Sequence, residues 1–399
     1  MSLTNIYKLI ILMTFQMSNV LLTYTKRIDM SFRKRVLFLY RPGIHHLFHS
    51  LYIAIEFSKI QDEYEVAILN TGLDLHKTIK LEISKHNAKI NYINRSLLFS
   101  VLNKTYKNVI RFNKDIIRES DVILTASWGI PRFLQQYNLR DRVVIFTRHG
   151  ANIGDNEYDK GLPEYDCVFI TSEKMYDQLK ELSILINLKS YLRIEYCKFD
   201  YLFNNPGLEK NLFDNDLPVI LYNPHFQKHR SSLYNAGEKI IDAIVKSNKY
   251  NVILSPHPLV NKWHFLDRIK LKFPKSDKLI KDWSSIHQVN FDYMRKADVY
   301  LGDTSSSIYE WLYFNKPMIL YDSHDVDWKN VPFYEFWNWG YVVDNPEDLM
   351  ARLDRIMKGS DPFKKVRQEA KNYAFGEVDG KASYRAAMKL YKYLKEKNI

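Results

Sequence analysis

Residues 302–311 read GDTSSSIYEW, an acid and four hydroxyls in succession between the apolar run 298–301 and a helical-looking stretch. A single Ser, Thr or Asp is enough to cap the start of a helix. Four hydroxyls leave donors over for an anion, at a place where free N–H groups and the helix dipole already favour one. Thr304, Ser305, Ser306 and Ser307 therefore read as a pyrophosphate cradle, and Asp303 as an acceptor that orients neighbouring N–H groups. Asn223 ends another apolar run, 218–223, and would face the same nucleotide. Glu310 lies about one and a half helical turns further on, within reach of a ribose.

Two histidines complete the chemistry. His149 follows the apolar run 143–147 and precedes Gly150, so its imidazole is expected at a strand tip. A His presented there suits a general base taking the proton of an acceptor hydroxyl, because its ordinary pKa lies near neutrality. His257 stands between Pro256 and Pro258, which fix the backbone and remove an N–H. Held that way, it suits stabilisation of charge on a phosphate or its leaving group.

Other constellations carry less. His45, His46 and His49 place two imidazoles at i and i+4, but no acidic ligand completes a metal motif. They read as a cleft-facing acceptor surface, and no metal site is assigned. The pairs Asp214/Asp216 and Asp325/Asp327 have a spacing common by chance. The chain has no Walker loop and no Gly-x-Gly-x-x-Gly, which speaks against an ATPase, a kinase or a dinucleotide oxidoreductase. No cofactor is required by this reading.

These residues need elements to position them. Strands are predicted at 36–40, 65–70, 121–126, 143–147, 167–171 and 192–196, then at 218–223, 251–255, 298–302 and 317–321. Helices are predicted at 45–59, 233–246, 305–314, 346–357 and 381–397. Strands separated by helices imply parallel sheets covered on both faces. The chain divides into an N-terminal extension or membrane-surface segment (1–30), an acceptor-side Rossmann-like domain (31–205) and a nucleotide-donor domain (206–378). A final helix (379–399) is placed to cross back to the first domain. The polar clusters 148–150, 223–225, 256–258 and 303–307 each directly follow a predicted strand. In open α/β sheets that is where ligands bind, so all four converge on one cleft.

The bulk composition sets the surroundings. Lys and Arg number 58 against 46 Asp and Glu, a formal charge of +12 that draws the chain to polyanions or an anionic membrane surface. No Arg-rich arm, zinc-finger spacing or RNA-binding aromatic signature points to nucleic acid. Two cysteines cannot make a disulfide framework, which suits a reducing cytoplasm. Residues 6–24 are apolar but interrupted by Lys8, Gln16, Ser18 and Asn19, so a surface-lying segment fits better than a spanning helix. Lys104, Lys107, Arg111, Lys114 and Arg118 recur at helical spacing as a candidate basic face. Together these place the protein at the inner face of the cell membrane, peripherally bound.

Several of these stretches also resemble one family. PVILYNPHFQKHRSS (218–232), LSPHPL (254–259) and LGDTSSSIYEWLYFNKPMILYD (301–322) are similar to segments of the CDP-glycerol glycerophosphotransferases, the teichoic acid polymerases and primases. EYCKFDYL (195–202) resembles that family's Gly-Tyr-Pro-Lys-Phe-Asp, and DGKASYR (379–385) its Asp-Gly-Lys-Ala-Ser-Glu-Arg. The resemblance covers roughly residues 143–399, in the family's order. It implies a GT-B fold, two doubly wound domains facing a central cleft. It also implies transfer of a polyol phosphate from a CDP-activated donor to a cell-surface polymer (teichoic acid or capsule) or its lipid-linked primer, with release of CMP. The family's Trp-His-Gly-Thr-Pro-Leu-Lys is replaced here by Thr147-Arg148-His149-Gly150-Ala151-Asn152. Glu310 stands where the family usually has Asp, which keeps a UDP-sugar glycosyltransferase or epimerase as the alternative.

Overall fold

The computed structural model describes residues 33–60, 63–101, 105–148, 150, 159–209 and 211–399. Segments such as VLFLY and VILY are apolar on both sides of the pleat, and strands of that kind must be covered on both faces. The chain accordingly forms two all-parallel sheets. The first comprises β1 (Lys34–Tyr40), β2 (Tyr64–Asn70), β3 (Ile90–Asn94), β4 (Val122–Thr125), β5 (Val143–Phe146), β6 (Cys167–Ile170) and β7 (Tyr191–Arg193), in the order β3-β2-β1-β4-β5-β6-β7. The second comprises β8 (Val219–Asn223), β9 (Asn251–Leu254), β10 (Leu279–Lys281), β11 (Val299–Gly302), β12 (Met318–Tyr321) and β13 (Tyr341–Val343), in the order β10-β9-β8-β11-β12-β13. Both are doubly wound, and each reverses its strand order beside its first strand.

Alternation along each strand feeds two cores per sheet. Val36 and Phe38 enter one core while Leu37 and Leu39 enter the opposite one; Ile220 and Tyr222 are likewise separated from Leu221. Registration of Gly302 opposite Asn223 brings the ends of β11 and β8 level, at the reversal point of the second sheet. The helix Ala382–Glu396 packs Ala386, Ala387, Leu390 and Leu394 into the core of the first lobe, beside helix Leu51–Ile60.

Three strands lie beyond the ten expected from sequence: β3, β10 and β13. All sit at or next to a sheet edge, and two have only three residues, too short for a visible apolar run. The helix expected at 45–59 is divided. Ser50 leaves helical torsions (φ −139°, ψ −8°) between a 3-10 turn Ile44–His49 and the α-helix Leu51–Ile60. The basic stretch is also divided: Thr105 caps helix Tyr106–Arg111, and the chain restarts as Lys114–Arg118 after Asn113. Lys107, Arg111 and Arg118 are exposed, Lys114 lies over the Tyr137 ring, and Lys104 falls outside the described residues. The apolar segment 6–24 does so too. Among the described residues no helix is long and apolar enough to cross a membrane.

Candidate active site

The carboxyl ends of the two sheets face each other across a cleft of about 500 Å³. Of the residues named from sequence, Asn223, His257, Thr304, Ser305, Ser306, Ser307 and Glu310 line it. His149 lies outside the described residues. Its neighbours Arg148 and Gly150 both line the cleft, and a Cβ placed on Gly150 (φ +82°) would lie 3.5 Å from the Ser306 Cβ. Glycine at that point lets the loop after β5 approach the hydroxyl segment.

On the second lobe, Asn223 Oδ1 accepts from the Ser307 hydroxyl at 2.5 Å and from the Tyr300 hydroxyl at 3.1 Å. Ser307 Oγ lies 2.8 Å from Ser305 Oγ, and the Ser307 N–H donates to Ser305 Oγ at 3.3 Å. Ser307 thus ties the strand end to its own loop, whereas Ser306 is exposed in the cleft. The buried Asp303 carboxylate sits beneath this rim and accepts four hydrogen bonds. They come from the backbone N–H groups of His225 (2.8 Å), Thr304 (2.7 Å) and Ser232 (2.7 Å), and from the Ser232 hydroxyl (2.9 Å). Burial raises its pKa, and those N–H donors oppose the rise. It orders the loop after β8 rather than reaching the cleft.

His257 is set by its own turn. The Leu259 N–H donates to its Nδ1 at 3.1 Å, so in the neutral ring the proton sits on Nε2. Its ring centroid lies 5.4 Å from that of His45 on the opposite lobe and 6.0 Å from that of His225. The 3-10 turn brings His45, His46 and His49 to the cleft wall as a group. Among the described residues no cluster of three or more His, Cys, Asp or Glu is arranged to hold a metal ion. Burial first, then the positive charges of His257, Arg230 and His229, push His225 well below the ordinary imidazole range.

Glu310 has a different environment from the one its spacing suggested. Its carboxylate is buried, accepting from the Lys198 Nζ at 2.7 and 2.8 Å and from the Tyr196 hydroxyl at 2.6 Å. Those partners belong to the EYCKFD stretch, so the contact ties the crossover segment to the second lobe. A carboxylate so occupied is poorly placed to hold a ribose as well.

Sequence reasoning gave no role to Lys198, Arg41, Arg230 or Lys262, all of which line the cleft. Arg41 directly follows β1, the same position after a strand that singled out the other polar clusters, and it stacks 3.3 Å over the Tyr106 ring. With Arg148, the described residues lining the cleft include five Lys or Arg side chains and one acid, Glu310, already paired. Such a wall favours a ligand carrying several negative charges.

A model of the family described as CDP-Glycerol:Poly(glycerophosphate) glycerophosphotransferase matches residues 139–392. The chain is 25% identical over 320 residues to the minor teichoic acid biosynthesis protein GgaB of Bacillus subtilis, covering 73% of this chain and 33% of that protein. It is 23% identical over 236 residues to the teichoic acid glycerol-phosphate primase of Bacillus spizizenii, covering 56% of this chain and 57% of that protein. The matches thus span between one third and under three fifths of these relatives' own length. Among solved structures, the wall teichoic acid polymerase TagF superposes with a TM-score of 0.63 at 14% identity, over 91% of this chain and 89% of that one. The UDP-bound MnaA of S. aureus superposes with a TM-score of 0.60 at 14% identity, over 91% and 97%. These likenesses establish a GT-B-like fold.

Proposed function

Because the chain belongs to the CDP-glycerol:poly(glycerophosphate) glycerophosphotransferase family, we propose that it moves glycerol phosphate, or a similar polyol phosphate, from a CDP-activated donor to an acceptor hydroxyl. The acceptor is a cell-surface polymer or its lipid-linked primer. The observation that carries this reading is the convergence of His257, Asn223 and the 304–307 hydroxyls on one cation-lined cleft. The acceptor oxygen attacks the β-phosphorus, the bond from that phosphorus to the bridging oxygen breaks, and CMP leaves. His149 takes the acceptor's proton. His257, with Nδ1 engaged by the Leu259 N–H, donates from Nε2 to the phosphate oxygens, and the hydroxyls hold the donor in line. No step calls on a metal.

The alternative, a UDP-sugar donor, drew on Glu310 as a ribose holder. The pairing of that carboxylate with Lys198 weakens this ground, and the altered motif Thr147-Arg148-His149-Gly150-Ala151-Asn152 is the other. The test is to incubate the purified protein with CDP-glycerol, CDP-ribitol and UDP-sugars and assay release of CMP or UDP. We expect CMP release that falls at least about a hundredfold in His149→Ala, with donor affinity nearly unchanged. Release of UDP alone, or near-normal turnover in that variant, overturns the assignment.

A further inference from the structure

We propose that the segment after His257, residues 262–275, is a foot that docks the cleft mouth onto an anionic lipid bilayer. This rests on the reading above only for its purpose, delivery of a lipid-linked acceptor. The surface itself stands on its own observations.

Phe265, Leu266 and Ile269 are 49%, 68% and 57% exposed. Large apolar side chains exposed singly are ordinary; three within five residues are not. The Arg268 N–H donates to the His264 carbonyl (2.9 Å) and the Ile269 N–H to the Phe265 carbonyl (3.1 Å), so the segment is helically wound. Spacing of i, i+1 and i+4 therefore puts the three side chains on one face.

Charge selects the occupant. Between residues 259 and 275 the sequence has Lys262, Arg268, Lys270, Lys272 and Lys275 against a single acid, Asp267. That acid is already paired with Lys228 at 2.9 Å. Lys262, Lys270, Lys272 and Lys275 are exposed. Apolar side chains ringed by lysines fit a bilayer interface, where the rings and aliphatic groups enter the acyl boundary and the ammonium groups meet anionic headgroups. The position fits as well. Pro258, Leu259 and Lys262 line the cleft, and the apolar face begins three residues later. A bilayer under this foot presents a lipid-borne acceptor beside His257.

Both cysteines are buried, so a thiol-reactive, environment-sensitive fluorophore can be directed to one introduced site in the full chain. Leu266→Cys reports on the foot, and Ile186→Cys, 83% exposed on the other lobe, is the control. On vesicles of phosphatidylglycerol and phosphatidylcholine in equal parts, the probe at 266 is expected to brighten about threefold or more while that at 186 stays dim. Lys270→Gln, Lys272→Gln and Lys275→Gln together should abolish the response, as should high salt. A probe at 266 that stays dim on these vesicles overturns the proposal. So does equal brightening at both sites, or on pure phosphatidylcholine. Brightening with protein concentration in the absence of lipid would assign the face to a second copy of the chain instead. No nucleotide enters the measurement, so failure here leaves the transferase reading standing, and failure of CMP release leaves the foot standing.

Discussion

Two regions carry the resemblance to the family most visibly, and they do opposite things. The 303–307 segment sits at a strand end and turns hydroxyls to the cleft. The stretches 195–200 and 379–385, far apart in sequence, meet each other, with Lys198 alone of their residues lining the cleft. The buried Asp200 carboxylate accepts the N–H groups of Ala382 (3.2 Å) and Ser383 (2.6 Å), where negative charge suits a helix start. Arg385 closes the join with a bidentate bond to Asp379 (2.8 and 2.9 Å) and another to Glu195 (2.8 Å). That pairing holds Asp379 well below the usual carboxylate range. One region faces the cleft; the other fixes the returning helix to the first lobe, and through Lys198–Glu310 fixes the crossover to the second. A motif shared with a family is therefore no guide to whether its residues touch substrate.

The difference is broken most sharply at Lys198. Removing one partner of a buried ion pair leaves the other charge unpaired, at a cost of about 3–5 kcal/mol. Lys198→Ala should lower the melting temperature strongly. Lys198→Met combined with Glu310→Leu should recover most of the loss, since both charges then leave the interior together. If Lys198 or Glu310 instead serves the donor, the double variant will be stable but will have lost nucleotide affinity, which titration calorimetry reads directly.

The hydroxyl segment should respond the other way. Ser306 is exposed, so Ser306→Ala should leave stability unchanged while weakening donor binding by about tenfold, or ~1.4 kcal/mol. Ser305→Ala also loses the contact with the Ser307 N–H, and should cost up to about 1 kcal/mol of stability besides. Nucleotide affinity like that of the parent protein in both variants would remove the cradle assignment.

What could be read from sequence follows the same division. Central strands announce themselves because burial on two faces demands continuous apolar residues; the exposed or three-residue edge strands make no such demand. Polar clusters after strands were legible because the fold places every such cluster on one rim. The partner of Glu310 was not legible, for a physical reason. Helical spacing says how far along a carboxylate lies, but its partner Lys198 is 112 residues away and reaches it only through the crossover. Asp303 is a mixed case: its role as an N–H acceptor was legible beside four hydroxyls, but of its four donors only the Thr304 N–H is local, the others coming from His225 and Ser232, 78 and 71 residues away.

The smallest expected effect concerns pH, and it separates the cleft from its supports. His225 titrates well below the ordinary imidazole value in the folded protein, mainly through burial and then through the cations beside it. Between that depressed value and about 6.5, the unfolded chain binds a proton that the folded one refuses. Stability should therefore rise with pH across this window and fall as the solution is acidified, by at most about 1.4 kcal/mol per pH unit from this one group. A diphosphate in the cleft adds negative charge near the same ring and lifts its pKa back towards normal. Donor binding then takes up a proton, so affinity should increase as pH falls through the region where the free protein loses stability. Melting curves between pH 5.5 and 8, with and without CDP-glycerol, should show the stabilisation by nucleotide growing towards acid while the unliganded protein weakens. His225→Gln should flatten both trends and leave the Lys198–Glu310 tie untouched. A stabilisation independent of pH, or slopes that persist in that variant, would mean that no anion approaches this imidazole.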